Sequence, residues 1–366
     1  MDTIDTLVTE YEVVANMLND WYIEIRARRI DNAHQLKEEI DNRMKDVSNQ
    51  SLHLYYSLLD FRYKYIVDNL NVSKDCFDKV ESFQIPHDNI LTYYYHFFKA
   101  IHASTVGSYS IARDNYDKAE ELLNEVSDEI EQAEFYYKIG AFHYDIYESL
   151  QSIKYVNKAK EIFSKHEGYE RNIGFCENLF GMACTNLREW ALAEEHLVKA
   201  MDLFQKIGEE KFTVMVRHNL GLLYAGQNMS ELAIRYLSEV SEKKPNHYKA
   251  IFIEGREHSK LGNQETANTL FERGLQLCTE LNNEEYQHRF KILRDINNNV
   301  SAEKLEGTVL AGIEYFERED LYEYIYECCN VLAEKIFEQG QHAKAGTYFY
   351  KAMQAKKKAD AKGALK

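Results

Sequence analysis

Two side-chain amides stand where they could do chemistry. Gln50 sits in the polar stretch Ser48-Asn49-Gln50-Ser51, at the start of an apolar helical pattern. A glutamine amide can accept a hydrogen bond from water and donate one to a phosphoryl oxygen, which is the positioning that in-line attack on phosphorus needs. By residue type alone it is equally a capping or turn residue, and that is the ordinary reading. Asn219 sits in Arg217-His218-Asn219-Leu220-Gly221. An asparagine amide can pair with the backbone of an extended peptide. The ordinary alternative is a helix-surface or interhelical asparagine. No other constellation stands out. There is no phosphate-binding G-x-x-x-x-G-K-[ST] loop, no H-E-x-x-H and no G-x-S-x-G. The many carboxylates read as solvated helix faces. Tyr93-Tyr94-Tyr95 and Tyr136-Tyr137 read as packing stripes. The six cysteines form no C-x-x-C pair and have no histidine at metal spacing, so they read as reduced, mostly buried thiols, with no metal site.

Composition narrows the class. The formal charge of −16 argues against nucleic acid as the main ligand, since phosphate neutralisation needs a basic face. No apolar run approaches the ~20 residues that span a bilayer. No basic stretch followed by an apolar one opens the chain, so the expected location is cytoplasmic, away from membranes. With two prolines in 366 residues and 45% apolar content, long uninterrupted helices around a continuous core are expected.

The elements that must position the two amides show in a repeated pattern. A small residue, a bulky one four later and a small one three after that share a helical face. The pattern occurs at Ala112/Tyr116/Ala119, Ser152/Val156/Ala159, Ala193/Leu197/Ala200, Ala233/Leu237/Val240, Ala267/Phe271/Gly274 and Ala345/Phe349/Ala352. Twelve residues before each stands another small residue: Ala100, Gly140, Gly181, Gly221, Gly255 and Ala333. This is the signature of tetratricopeptide helix-turn-helix units, whose helices approach closely at the small residues. Pro245 falls where such a unit ends its second helix. The intervals of 40, 41, 40, 34 and 78 residues leave room for a degenerate unit near 285–318, with Asn297-Asn298-Asn299 in its turn.

Residues 1–70 lack the repeat and read as three helices: near Thr6–Arg29, near Ile30–Val47 with Asp31-Asn32 helping to start it, and one beginning at the Gln50 turn. The expected fold is all-α: a three-helix bundle (1–70), a linker (71–90), a right-handed tetratricopeptide superhelix of about seven repeats (91–356) and a basic C-terminal tail (357–366). The concave groove of such an array binds peptide or protein.

The chain resembles the Rap proteins of bacilli, the response regulator aspartate phosphatases. The resemblance runs through Asp20-Trp21-Tyr22 with Ile25, the stretch from Asn49-Gln50-Ser51-Leu52-His53 to Asp60-Phe61-Arg62, Tyr93-Tyr94-Tyr95-His96-Phe97-Phe98-Lys99, Ile130-Glu131-Gln132-Ala133-Glu134-Phe135-Tyr136-Tyr137-Lys138 and His218-Asn219-Leu220-Gly221. It covers essentially the whole chain in order and is most specific around Gln50. It implies a bundle that binds the receiver domain of a phosphorylated response regulator, and hydrolysis of its aspartyl phosphate in a sporulation phosphorelay. In other members it implies sequestration of a DNA-binding competence regulator without hydrolysis. It also implies inhibition by a short Phr-type quorum-sensing peptide in the repeat groove, which shifts the protein between open and closed arrangements. The family's catalytic glutamine falls on Gln50 and its peptide-anchoring asparagine on Asn219. The protein would need no cofactor of its own, because the regulator supplies the Mg²⁺. Acidic residues often precede the family's glutamine; Ser48 and Asn49 stand there in this chain, which bears on regulator choice and rate. Residues 1–70 match the bundle, not the helix-turn-helix DNA-binding domain of a related receptor branch. A general peptide-binding scaffold without a regulator is the third reading.

Overall fold

A computed structural model describes residues 2–69, 72–84 and 89–363. Among these the regular structure is helical throughout. In chain order the α-helices are α1 (Asp2–Arg26), α2 (Ile30–Arg43), α3 (Gln50–Val67), α4 (Asp78–Glu81), α5 (Asn89–Thr105), α6 (Tyr109–Leu122), α7 (Glu129–Asp145), α8 (Ser149–Phe163) and α9 (Glu170–Asn186). They continue with α10 (Trp190–Lys206), α11 (Glu210–Gly226), α12 (Ser230–Lys243), α13 (Tyr248–Lys260), α14 (Gln264–Glu280), α15 (Glu284–Asn297), α16 (Ala302–Arg318), α17 (Tyr322–Glu338) and α18 (His342–Gly363). The chain forms two compact units. One comprises Met1–Asp145 with Gln151–Leu179, the other Ile146–Leu150 with Phe180–Lys366.

The repeat signature does what its spacing predicts. All six leading small residues and five of the six triads are buried; in the sixth, Ala345 and Ala352 are buried but Phe349 is exposed. The small residues matter because the helices touch there. A Cβ at Gly221 would lie 2.6 Å from Leu237 Cγ, closer than packed side chains tolerate. The degenerate unit is α15 with α16. Asn299 takes a left-handed φ of 46° in the turn between them. Asn297 closes α15, and its amide donates to the carbonyl of Gln264 (3.0 Å) and to Asn268 Oδ1 (2.9 Å) of α14.

In the first unit, α1, α2 and α3 pack around Leu18, Trp21, Ile25, Ile40 and Leu58. Two details differ from expectation. α1 ends at Arg26, because Arg28 turns the chain in the left-handed region (φ 56°). Asp31-Asn32 does not cap α2: the N-cap is Arg29 with no side-chain cap bond, and Asn32 instead donates to Glu24 (2.9 Å). Between α3 and α5, a 3₁₀ turn (Lys74–Phe77) leads into α4; Phe77 is buried edge-on against Phe61 (5.1 Å) and stacked on His102 (5.4 Å). Pro86 lies outside the described residues. α18 continues through the basic residues 357–363. All six cysteines are free thiols, five of them buried and Cys76 half-buried. No described helix is long and apolar enough to cross a membrane.

Candidate functional site

Gln50 is the first residue of α3, and the turn before it is built to place it there. Asn49 is the N-cap, in extended conformation, and its Oδ1 accepts the amide of Leu52 (3.1 Å). His53 braces the preceding turn through a ring nitrogen 2.7 Å from the carbonyl of Val47. Leu52 and Leu54 then anchor the helix in the core, leaving Ser48, Asn49 and Gln50 exposed. No acidic residue lies in the first turn of α3, so the positive end of its dipole is uncompensated beside Gln50 and favours an approaching anion. Lys37 of α2 ties the bundle together, with Nζ 2.8 Å from Asp41 and 3.2 Å from Asp60. Burial opposes its charge, but the bond to Asp41 and the charge of Asp60 outweigh that and raise its pKa.

Within the same unit, a buried charge network fixes α1 and α3 against α7. Arg26 of α1 donates to Asp128 (2.6 Å) and Glu131 (3.1 Å), and the hydroxyls of Tyr22 and Tyr93 each donate to Glu131 (3.0 Å). Arg62 of α3 donates to Glu134 (2.7 Å), and its guanidinium faces the rings of Tyr65 and Phe98 at 5.4 and 5.3 Å. Arg28 lies 3.6 Å from the other Glu134 oxygen. The two carboxylates titrate in opposite directions. Burial wins at Glu131 and raises its pKa against the pull of Arg26. At Glu134 burial is outweighed by Arg28, Lys138 and Arg62, and the pKa is lowered. Sequence reasoning assigned these residues no role. The available signal was two acids, Glu131 and Glu134, in the mostly apolar and aromatic α7 stretch Ile130–Phe142.

Asn219 belongs to the second unit. It lies near the middle of α11 and is 6% exposed. The helix packs on α12 through Gly221, and two residues of α-helix turn about 200°, so Asn219 faces away from α12. Met215, Leu222 and Gly226 share its face by spacing. Next to it, His218 and His247 pack ring to ring with centroids 4.7 Å apart. Burial first, then the positive groups around them, hold both below the ordinary histidine range, His247 at about 4. The pair therefore stays neutral around pH 7. On another side of α11, Arg217 pairs with Glu239 and lines a cavity of about 310 Å³ with Met201, Arg235 and Tyr236. Asn219 is not among its lining residues. Among the described residues, no three His, Cys, Asp or Glu side chains converge to hold a metal ion.

Fold and site define a tetratricopeptide-type helical-repeat protein with an N-terminal three-helix bundle. The family profile for the N-terminal region of response regulator aspartate phosphatase H matches residues 8–68, and a tetratricopeptide-repeat profile matches residues 175–245. Response regulator aspartate phosphatase A of Bacillus subtilis (strain 168) is 26% identical over 356 residues, covering 93% of each chain. Regulatory protein RapF of the same organism is 26% identical over 362 residues, covering 94% of each. A Rap protein solved in complex with competence and sporulation factor superposes with a TM-score of 0.84 at 26% identity, over 96% of this chain and 99% of that one. Over nearly its whole length the chain is thus similar to Rap proteins in sequence and fold.

Proposed function

We propose that this protein binds the receiver domain of a phosphorylated response regulator through its N-terminal bundle and hydrolyses the aspartyl phosphate there. The observation that carries the reading is the exposed Gln50 at the N-terminus of α3, capped by Asn49. Its amide carbonyl accepts a hydrogen bond from the attacking water and its N–H groups donate to the phosphoryl oxygens. Water forms the new P–O bond as the acyl-phosphate bond breaks, yielding inorganic phosphate and the regulator's free carboxylate. Such transition states need positioning and charge stabilisation more than a strong base, so a neutral amide suffices. The regulator contributes the Mg²⁺ that its phosphoaspartate requires, and such a partner places the protein in the cytoplasm. The direct test is single-turnover loss of label from a phosphorylated receiver with and without this protein; faster loss is expected with it.

A second reading is sequestration without hydrolysis. It is favoured by one fact: a relative as similar as phosphatase A is named only as a regulatory protein. If this protein binds a regulator whose phosphate then decays at its own intrinsic rate, that reading replaces the first.

A short signalling peptide bound against α11 would switch the activity off, with Asn219 pairing with its backbone. Because Asn219 is nearly buried, Asn219→Ala would leave peptide groups unpaired, at about 1–3 kcal/mol, or roughly 5- to 150-fold in affinity. Calorimetry with the inhibitory peptide checks this, and an unchanged affinity removes Asn219 from the site.

A further inference from the structure

Beside the Glu134 ion pairs lies a buried amine that the proposed reaction does not use. Lys138 stands one turn further along α7 and is 5% exposed. Among the described residues its Nζ has no ion-pair partner. It donates to the Tyr65 hydroxyl (3.3 Å) and lies 4.3 Å from the Tyr65 ring and 5.3 Å from the Tyr137 ring. The same two rings carry guanidinium groups, Arg62 at 5.4 Å from Tyr65 and Arg28 at 5.2 Å from Tyr137. Both arginines are already engaged with one carboxylate, Glu134, at 2.7 and 3.6 Å, so that acid stays ionised without a third cation. Glu131, the other buried acid of α7, is held by Arg26 and two tyrosines. Arg62 Nε and Nη1 and Arg28 Nε are buried without a hydrogen-bond partner. Burial first, then the charge of Arg28, holds the Lys138 amine far below the ordinary lysine range, against the pull of Glu134 and the weaker pull of Asp145.

We propose that Lys138 is a carbamylation site, at which the amine adds carbon dioxide and the resulting carbamate is held by Arg62 and Arg28. The lone pair of the neutral amine attacks the carbon of carbon dioxide and forms an N–C bond. One C=O electron pair moves onto oxygen, and a proton leaves the nitrogen for water. No oxidant, reductant or leaving group takes part. A lysine desolvated beside other cations is the state such an attack needs, because only the neutral amine carries a lone pair. The product is a carboxylate-like anion, whose oxygens accept from the guanidinium N–H groups that have no other partner. Charge favours it as well. With the amine neutral, two buried guanidinium groups face one carboxylate, and the carbamate supplies a second anion where unpaired charge is costly. Carbon dioxide is small and apolar, so it reaches a site closed to bulkier electrophiles, and Tyr65 at its edge is only half-buried. Once formed, the carbamate ties α7 to α3 and to the turn after α1.

The test exposes the full 366-residue chain to isotopically labelled bicarbonate equilibrated with carbon dioxide. Carbamates are then trapped by O-ethylation with a trialkyloxonium salt and mapped by mass spectrometry. At about pH 7.4 an exposed lysine, with a pKa of about 10.4, has about one amine in a thousand neutral. Lys138 should therefore carry at least about tenfold more label than the exposed Lys357 and Lys358. The excess should vanish when the chain is unfolded in urea before exposure. The thermal midpoint of the parent should rise under bicarbonate relative to chloride at equal pH and ionic strength, and that of Lys138→Met should not. Label on Lys138 no greater than on Lys357 overturns the proposal, and that comparison needs no variant that could misfold. An equal rise in chloride and bicarbonate overturns it too, since the arginines then hold a free ion and no bond to the amine is formed.

Discussion

Gln50→Ala should slow single-turnover dephosphorylation of a phosphorylated receiver by about 10²-fold or more, the usual effect of removing one positioned transition-state donor. The side chain is exposed and outside the core, so the melting midpoint and helicity should stay close to the parent's. Asn49, not Gln50, supplies the side-chain cap, so α3 still starts at the same residue. Regulator affinity should change far less than turnover, since the rest of the bundle surface remains. Gln50→Glu separates positioning from base strength. It keeps the length and adds a stronger base, but it loses the amide donor and places negative charge beside the phosphoryl group. If positioning governs the step, Gln50→Glu is as slow as Gln50→Ala. Turnover by Gln50→Ala at the parent rate would exclude Gln50 as the catalytic residue.

The largest stability effect is expected at the other end of the same helix. Arg62 lies twelve residues from Gln50 on α3, ~18 Å along the helix axis. It is fully buried and bonded to the equally buried Glu134. Arg62→Ala leaves that carboxylate facing Arg28 at 3.6 Å as its nearest remaining cation, with a cavity where the guanidinium stood. Breaking one side of a buried ion pair costs about 3–5 kcal/mol. For a unit of this size that lowers the midpoint of its thermal transition by roughly 10 °C. The double replacement Arg62→Met with Glu134→Gln removes that pair but takes the carboxylate away from buried Arg28, so it should recover only part of the loss. The measurement is a double-mutant cycle by chemical denaturation. A loss below about 1 kcal/mol for Arg62→Ala would mean that water reaches the site and the network is not a buried anchor.

Much of the architecture was legible because its causes are local and repeated. Helical period and the spacing of small residues act within a few turns, so the close approach of the helices that carry Gly221 and Leu237 could be read from their separation alone. The same holds for the turn after Asn297 and the stop before Pro245. Gln50 could be placed at a helix start for the same reason, since its polar turn adjoins the apolar pattern of Leu52 and Leu54.

Long-range pairing was not legible. Glu131 and Glu134 look like ordinary surface acids until α1 and α3 bring Arg26 and Arg62 to them across 105 and 72 residues. Nothing in local period specifies a partner at that distance, and whether a carboxylate is solvated or buried depends on all the helices around it. Phe349 shows the converse. By itself the sequence determined its place in the repeat pattern, as it determined the helices, their order and the two amides worth testing. Only the tertiary structure decided that Phe349 is exposed, because burial is set by the helices that pack against a residue and not by the residue's own helix.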